Sequence, residues 1–254
     1  HYSVAKTKVV EQQMCANKWS EIDYSKVPSI AGLRYAKAFT NHDTLRYQRF
    51  IHQVYEGEQK INANVLYPCD IVRQYGEVSD ETIIALWNNL PNYMKGCKDR
   101  ILPVCDVSGS MSGIPLEVSV SLGCYISERN EGPFKDAFIT FSDVPQMQYL
   151  QGNIVERMDQ LKTADWDNNT NLQAVFTLIL KKAIDNRIPQ DQMPTKILII
   201  SDMEFDMACD NRVTNFEAIQ RKFEGAGYEM PSIIFWNVNG RVNNVPVTKD
   251  DKNV

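Results

Sequence analysis

The strongest structural signal in this chain is the segment Ile101-Leu102-Pro103-Val104-Cys105-Asp106-Val107-Ser108-Gly109-Ser110. Its first five residues form a continuous apolar run, which is typical of a strand buried on both faces of a sheet. The run ends in a turn that carries one carboxylate, on Asp106, and two hydroxyls, on Ser108 and Ser110. Hard oxygens held on a rigid strand-to-helix turn are the ligands that Mg²⁺ prefers. The segment therefore predicts a buried strand with a divalent-cation site at its end.

Apolar strands alternate with helices downstream of this segment. The predicted strands are Ile101–Cys105, Phe134–Phe141, a short edge strand Gln146–Leu150, Lys196–Ser201 and Ser232–Asn237, and the predicted helices are Pro115–Glu128, Asn171–Asn186 and Thr214–Ala226. This alternation predicts an α/β fold, doubly wound, with a mostly parallel sheet covered on both faces. Ligands of such sheets bind at the carboxyl ends of strands. Asp106 and Asp202 both occupy that position.

The first part of the chain predicts a small α-helical region. Its candidate helices are an amphipathic segment Ile30–Phe39, a helix Thr44–Tyr55 with Asp43 as N-cap and Leu45, Phe50, Ile51 and Val54 facing inward, and a helix Ser79–Leu90 stopped by Pro91. The change of pattern near residue 100 predicts two domains, a helical region over 1–99 and an α/β domain over 100–254.

Composition narrows the class of protein. The chain has 254 residues, 43% hydrophobic and 23% charged, which is enough for a substantial core. It contains no apolar run near the roughly 20 residues that span a bilayer and no basic-then-apolar leader, so we expect a soluble, cytoplasmic protein with no membrane partner. The chain starts at His1 rather than a methionine, as a fragment or a trimmed chain would.

The six cysteines form no C-x-x-C pair and no zinc-type spacing, so we expect reduced thiols. Charge is distributed unevenly. Residues 1–100 carry 13 Lys and Arg against 11 Asp and Glu, whereas the rest of the chain carries 14 against 21. The acidic second part alone is a poor general binder of phosphate backbones.

Three separated segments agree in order and in predicted context: Asp106-x-Ser108-x-Ser110 after the first strand, Thr170 before a helix, and Ser201-Asp202 after an apolar strand. Together they resemble the metal-ion-dependent adhesion site of von Willebrand factor A domains. The resemblance implies Mg²⁺ or Mn²⁺ held by Asp106, Ser108, Ser110, Thr170 and Asp202, directly or through water. It also implies a protein partner that supplies an Asp or Glu as the last ligand.

The resemblance extends upstream. Lys60-Ile61-Asn62-Ala63 with Leu66, a helix with Trp87 and then the metal-site strand resemble the Ro autoantigen (TROVE) family, in which helical repeats precede an A domain. The chain resembles a viral and eukaryotic family of domain-of-unknown-function proteins more closely than it resembles the Ro family. The segments that carry this resemblance are Val27-Pro28-Ser29, Trp166 to Asn171, Ser201-Asp202-Met203, Gly227-Tyr228 and Phe235-Trp236-Asn237. Asn169 stands where many A domains have glycine. The A-domain fold usually adds one more strand and helix after Asn237, so either the end is missing or the sheet edge is open.

Cations and aromatics mix in the first part of the chain, as they do in proteins that bind single-stranded RNA. Ro proteins bind small RNAs through their helical part, so the resemblance implies candidate RNA-binding residues, namely Arg34, Lys37, Arg46 and Arg49. A solvated helix face with aromatic shoulders is the plainer interpretation of the same residues.

Simpler interpretations exist for the candidate metal site as well. Asp106 with its serines is also the pattern of a turn that caps the next helix, and Thr170 alone suits an ordinary N-cap.

The acidic run Asp202, Glu204 and Asp206 suits a two-metal hydrolase. No lysine completes a Walker phosphate loop after Gly109, and no histidine follows His52 to complete a Ser-His-Asp triad.

The sequence thus favours a non-enzymatic, divalent-metal-dependent protein-binding module. A Ro-like component of a small-RNA ribonucleoprotein is the alternative, and a metal-dependent hydrolase is a third. The oligomeric state is left open.

Overall fold

A computed structural model describes residues 9–140, 145–162, 172–202 and 212–239, with backbone alone for 212–216. The chain divides into two compact units. One comprises residues 1–91 with 153–155, and the other comprises residues 92–152 and 156–254.

The helices of the first unit are α1 (Val10–Cys15), α2 (Ser29–His42), α3 (Thr44–Tyr55), α4 (Pro68–Val72) and α5 (Asp80–Asn88). Their core is strongly aromatic. The ring of Tyr24 lies 5.1 Å from the rings of both Phe39 and Tyr47, centroid to centroid. Aromatic pairs at this separation add to the free energy that burial alone supplies.

The bounds of α3 confirm the prediction, but its inward face is partly different. Tyr47, Phe50, Ile51 and Val54 are buried, whereas Leu45, predicted to face inward, is 81% exposed. An α-helix turns about 100° per residue, so Leu45, two residues before Tyr47, lies on the opposite side. The prediction for Leu45 was wrong because it considered the hydrophobicity of this residue and not its angular position around the helix axis.

The other predicted helices of this unit hold with small changes. α2 is longer than the predicted segment at both ends, running from Ser29 to His42. α5 begins after Ser79, whose hydroxyl accepts a hydrogen bond from the Thr82 N–H at 3.4 Å, as an N-cap does. It ends at Asn88, before Pro91 is reached. α1 and α4 were not predicted.

The described residues of the second unit form one sheet. Its strands are β1 (Ile101–Cys105), β2 (Ala137–Thr140), β3 (Gln146–Tyr149), β4 (Lys196–Ser201) and β5 (Ser232–Asn237), in the order β3-β2-β1-β4-β5. β1 is parallel to β2 and β4, and β4 is parallel to β5, whereas β3 is an antiparallel edge strand beside β2. The mostly parallel sheet confirms the predicted fold class.

Helices follow the strands as expected: α6 (Ile114–Arg129), α7 (Ile154–Lys162), α8 (Leu172–Asp185) and α9 (Arg212–Gly225). α7 was not predicted. β2 is shorter than predicted because Phe134 belongs to a 3₁₀ turn, Gly132–Phe134, and residue 141 lies outside the described residues.

Alternate residues of the central strands face opposite layers. Leu102 and Val104 of β1 belong to one apolar cluster with Phe176 of α8 and Ile219 of α9. Cys105, on the other face of β1, lies against Gly123 of α6. Helices therefore cover both faces of the sheet, which confirms the doubly wound arrangement.

Two further findings concern the described residues only. None of their helices is long and apolar enough to cross a membrane. Their five cysteines are free, with Cys105 and Cys124 buried and Cys15 and Cys97 exposed.

Candidate metal centre at the strand ends

Asp106 directly follows β1 and continues its pairing with β4. Its backbone N–H donates to the carbonyl of Ile200 at 2.9 Å. The residue is only 2% exposed. The parallel ladder thereby fixes the backbone of Asp106 at the carboxyl edge of the two central strands.

Two hydrogen bonds hold the carboxylate of Asp106, one on each oxygen. The backbone N–H of Ser108 donates to Oδ1 at 2.9 Å, and the hydroxyl of Ser201, the last residue of β4, donates to Oδ2 at 2.6 Å. A carboxylate has about four lone-pair sites, so each oxygen retains acceptor capacity after these bonds form. Among the described residues, Asp106 is thus oriented without being saturated.

The two serine hydroxyls lie side by side in the loop after β1. Ser108 Oγ and Ser110 Oγ are 3.0 Å apart. A 3₁₀ turn, Gly109–Met111, carries Ser110, and the fully buried side chain of Met111 anchors that turn in the core. The hydroxyls therefore stand at the surface of a loop whose base is fixed.

Asp202 follows β4 and is 1% exposed. Cys105 pairs with Ile200 across the parallel strands, so Asp106 is level with Ser201 and Asp202 is one residue further along. Both buried aspartates therefore lie at the same sheet edge. Burying carboxylates costs free energy unless hydrogen bonds or an opposite charge compensate.

The structure brings four of the five predicted metal ligands to one edge, namely Asp106, Ser108, Ser110 and Asp202. The fifth, Thr170, lies outside the described residues, as do Glu204 and Asp206. No group of three or more His, Cys, Asp and Glu side chains is gathered anywhere in the described part of the chain. The donors at this edge are instead two carboxylates and neighbouring hydroxyls.

Ser201 was not among the predicted metal ligands, although it directly precedes Asp202 in the chain. The only signal was a hydroxyl residue closing an otherwise apolar strand, directly before an aspartate. Its contact with Asp106 spans 95 positions and depends on the pairing of β1 with β4.

The buried thiols near this edge are poor nucleophiles and ligands. Burial, together with the nearby Cys124 and Asp106, raises the pKa of Cys105 well above its usual range. Burial likewise raises the pKa of Cys124 to about 12. Both thiols are therefore protonated at neutral pH, and it is the thiolate that binds metals and attacks substrates.

The candidate RNA-binding cations fall into two kinds. Arg46 donates to the carbonyls of Ser20 and Ile22, and its Nε lies 3.2 Å from an Asp43 carboxylate oxygen. Its guanidinium also lies 5.2 Å from the centroid of the Tyr24 ring. Arg46 is thus part of the internal structure of the first unit.

The other three cations are exposed. Lys37 Nζ lies 3.2 Å from a Glu77 carboxylate oxygen. Arg34 on α2 and Arg49 on α3 form no ion pair within the described part of the chain. These two arginines are therefore the candidates with their charge directed to solvent.

The fold and the oxygen-rich strand ends define a doubly wound α/β protein with a candidate metal site. Residues 100–254 match the family model described as Domain of unknown function (DUF7788), and the chain belongs to this family. Residues 5–95 match a second model, Domain of unknown function (DUF2828).

An uncharacterised protein of Acanthamoeba polyphaga mimivirus is 30% identical over 266 residues, covering 96% of this chain and 46% of that protein. The chain thus spans less than half the length of this relative. The expected likeness to an uncharacterised viral protein is confirmed.

Among solved structures, the crystal structure of the Ro protein of Deinococcus radiodurans aligns with a TM-score of 0.48 at 14% identity. The alignment covers 96% of this chain and 56% of that one. A likeness of this size carries no argument about what this chain binds.

Proposed function

We propose that this chain is a non-enzymatic module that binds a divalent cation, Mg²⁺ or Mn²⁺, and through it an acidic residue of a partner protein. Asp106, Ser108, Ser110 and Asp202 would hold the cation, with Thr170 as the further ligand that the sequence resemblance implies. The observation that carries the proposal is the meeting of two buried aspartates and two adjacent serine hydroxyls at the ends of β1 and β4.

The chemistry of these donors fits the proposed ions. Mg²⁺ and Mn²⁺ favour carboxylate, hydroxyl and water oxygens, and Mg²⁺ needs few protein ligands because it keeps several waters. The donors found here are all oxygens, and the buried thiols nearby have raised pKa values. A zinc site built from Cys and His would require different residues.

Each residue has a distinct role in the proposed site. Asp106 presents a negative charge in a fixed orientation because two hydrogen bonds hold its carboxylate. Ser108 and Ser110 add neutral oxygens at the surface, where a partner has access. A bound cation would supply the positive charge that attracts a partner's carboxylate.

The absence of histidine beyond residue 52 favours a binding role over acid–base catalysis by histidine. All three histidines, His1, His42 and His52, precede residue 53 and so belong to the helical part of the chain. General acid–base catalysis needs a titrating group within hydrogen-bond reach of the reacting atoms. The strand-end loop itself offers serines and a glycine beside Asp106, none of which titrates near neutral pH.

Thermal unfolding of the whole chain in EDTA, Mg²⁺, Mn²⁺ and Ca²⁺ tests cation binding. A ligand at 100 times its Kd stabilises by about 2.7 kcal/mol, or roughly 5–10 °C for a chain of this size. We expect this shift with Mg²⁺ or Mn²⁺ in the wild type and its loss in Asp106→Asn and Asp106→Ala. Asp191→Asn, at an exposed position, is the control and should shift like the wild type. Absence of a shift with every metal would overturn the proposal.

Capture experiments test the acidic partner. A tagged wild-type chain in Mg²⁺ should retain partners that EDTA releases and that Asp106→Ala fails to bind. Circular dichroism must show that the variant is folded. An unchanged set of bound proteins after both treatments would contradict a metal-dependent binding role.

RNA binding is the second candidate, supported by Arg34 and Arg49 of the first unit, which are exposed and have no ion-pair partner among the described residues. The double change Arg34→Ala and Arg49→Ala should weaken binding of a short single-stranded RNA, and wild-type affinity should fall steeply with salt. Arg221→Ala, an exposed position on α9, is the control. Fluorescence anisotropy that detects no binding at low salt would eliminate this candidate.

A further inference from the structure

The contact between Ser201 and Asp106 is a short hydrogen bond between two buried residues. Ser201 Oγ donates to Asp106 Oδ2 at 2.6 Å, and the two residues are 0% and 2% exposed. We propose that Ser201 is a positioning residue, which turns the Asp106 carboxylate so that its remaining lone pairs face the cation. This inference rests on the proposed function, because it concerns the same site.

The geometry explains why one hydroxyl has such an effect. The last torsion of an aspartate side chain is broad and roughly two-fold, so rotamer preference alone does not fix the plane of its carboxylate. The Ser108 N–H fixes Oδ1 and the Ser201 hydroxyl fixes Oδ2. Without the second bond the carboxylate would pivot about the first, and fewer of its orientations would suit a cation.

Ser201 is itself held in place from both sides. β4 lies between β1 and β5, with Ser201 paired to Asn237 in parallel register. The Val238 N–H donates to the Ser201 carbonyl at 3.0 Å. The preceding carbonyl, of Ile200, accepts hydrogen bonds from the Asp106 N–H at 2.9 Å and the Ser119 hydroxyl at 3.4 Å. The donor is therefore in position before any cation arrives.

The chemical requirement is a hydroxyl donor at a fully buried position. Serine carries one O–H donor, and here it is used on a charged acceptor, which makes a short and strong bond. Alanine removes the donor and leaves a buried carboxylate oxygen less satisfied. Threonine keeps the donor and adds one methyl group.

Isothermal titration of the whole chain with Mn²⁺ and with Mg²⁺ tests the inference. Groups that orient metal ligands typically contribute about 10- to 100-fold in affinity, so we expect the Kd of Ser201→Ala to rise by about that factor. Ser201→Thr should recover most of the loss. A matched control is Ser127→Ala, which removes another buried serine hydroxyl, one that donates to the Cys124 carbonyl at 3.1 Å.

The outcomes separate the two proposals. If the wild type binds neither ion, the proposed function fails. If the wild type binds and Ser201→Ala binds equally well, only the role of Ser201 is overturned. If Ser127→Ala weakens binding as much as Ser201→Ala does, the effect is general destabilisation and the positioning role is also overturned. Should Ser201→Thr not fold, the comparison of the two alanine variants decides.

Discussion

Gly123 of α6 lies so close to Cys105 of β1 that a Cβ atom on the glycine would overlap the Cys105 Sγ atom. The same Cβ would lie 2.5 Å from Cε2 of Phe138 on β2. Both neighbouring atoms belong to buried side chains of the sheet, so they cannot move aside as the end of a long, flexible side chain would. The absence of a side chain at Gly123 therefore sets the distance between α6 and the sheet. The contact is at Cys105, the residue directly before Asp106.

We expect Gly123→Ala to lower the free energy of unfolding by about 1–3 kcal/mol, because overpacking forces the helix from the sheet. Urea unfolding measures the change. Gly32→Ala is the control, since its Cβ would lie 3.8 Å from Val27 Cγ1, an ordinary contact, in the interior of α2. That variant should gain about 0.5–1 kcal/mol from helix propensity. A loss of the same size in both variants would contradict the packing argument.

The two faces of α3 predict opposite responses to truncation. Phe50 is buried among aromatic rings, so Phe50→Ala should cost about 3–5 kcal/mol. Leu45 is 81% exposed, so Leu45→Ala should change stability by no more than about 0.5 kcal/mol. Thermal or urea unfolding of both variants checks the phase of the helix. A large loss on truncating Leu45 would show that this residue is covered.

The alkaline stability of the first unit should depend on Tyr47. Burial raises the pKa of Tyr47 from 10.0 to about 12, with a hydrogen bond from Thr82 opposing the shift. Between these values the unfolded chain releases the proton and the folded chain keeps it. Stability therefore falls as pH rises from about 10 to 12, by up to about 1.4 kcal/mol per pH unit.

Tyr47→Phe removes this ionisation, so its unfolding free energy should fall less steeply over the same pH window. Tyr55→Phe, at a half-exposed position on α3, is the control and should keep the wild-type slope. Urea titrations at several pH values measure both. Identical slopes for wild type and Tyr47→Phe would remove Tyr47 as a cause.

Arg157 joins α7 to the beginning of β2. Its side chain is 6% exposed, Nη2 lies 2.7 Å from Asp136 Oδ1, and Nε donates to the Gly152 carbonyl at 2.9 Å. Arg157→Ala leaves a carboxylate and a carbonyl without this donor, and breaking such a pair costs about 3 kcal/mol or more. Arg221→Ala, with a side chain 78% exposed, should stay within about 0.5 kcal/mol. Equal effects in urea unfolding would argue against a structural role for Arg157.

Local sequence pattern predicted the strands of the sheet well. The bounds of β1, β4 and β5 agree with the prediction because each contains a short apolar run, as buried strands of a parallel sheet do. In β5 only part of this run is buried, since Ile234 and Trp236 are exposed. α7 was missed because its nine residues mix apolar and charged side chains over a length at which periodicity is weak. Leu45 was wrongly assigned to the buried face of α3, because the hydrophobicity of one residue does not show on which side of a helix it lies.

Arg46 shows that local sequence pattern also fails to separate a structural residue from candidate binding residues. By residue type and spacing it belongs with Arg34 and Arg49, and sequence pattern treated the three alike. In the structure, Arg46 donates to the carbonyls of Ser20 and Ile22, which lie more than 20 positions earlier in the chain. It also pairs with the carboxylate of Asp43, the residue directly before α3. Only the other two present their charge to solvent.

Residue order alone was enough to place Asp106 and Asp202 after buried strands and so at one edge of a parallel sheet, because apolar runs and the turns between them are local features. Tertiary structure decided how that edge is built. The hydrogen bond from Ser201 to Asp106 exists because β1 and β4 pair in parallel, in a register that sets Cys105 opposite Ile200. A contact across 95 positions depends on the register of two distant segments, and no local pattern encodes that register.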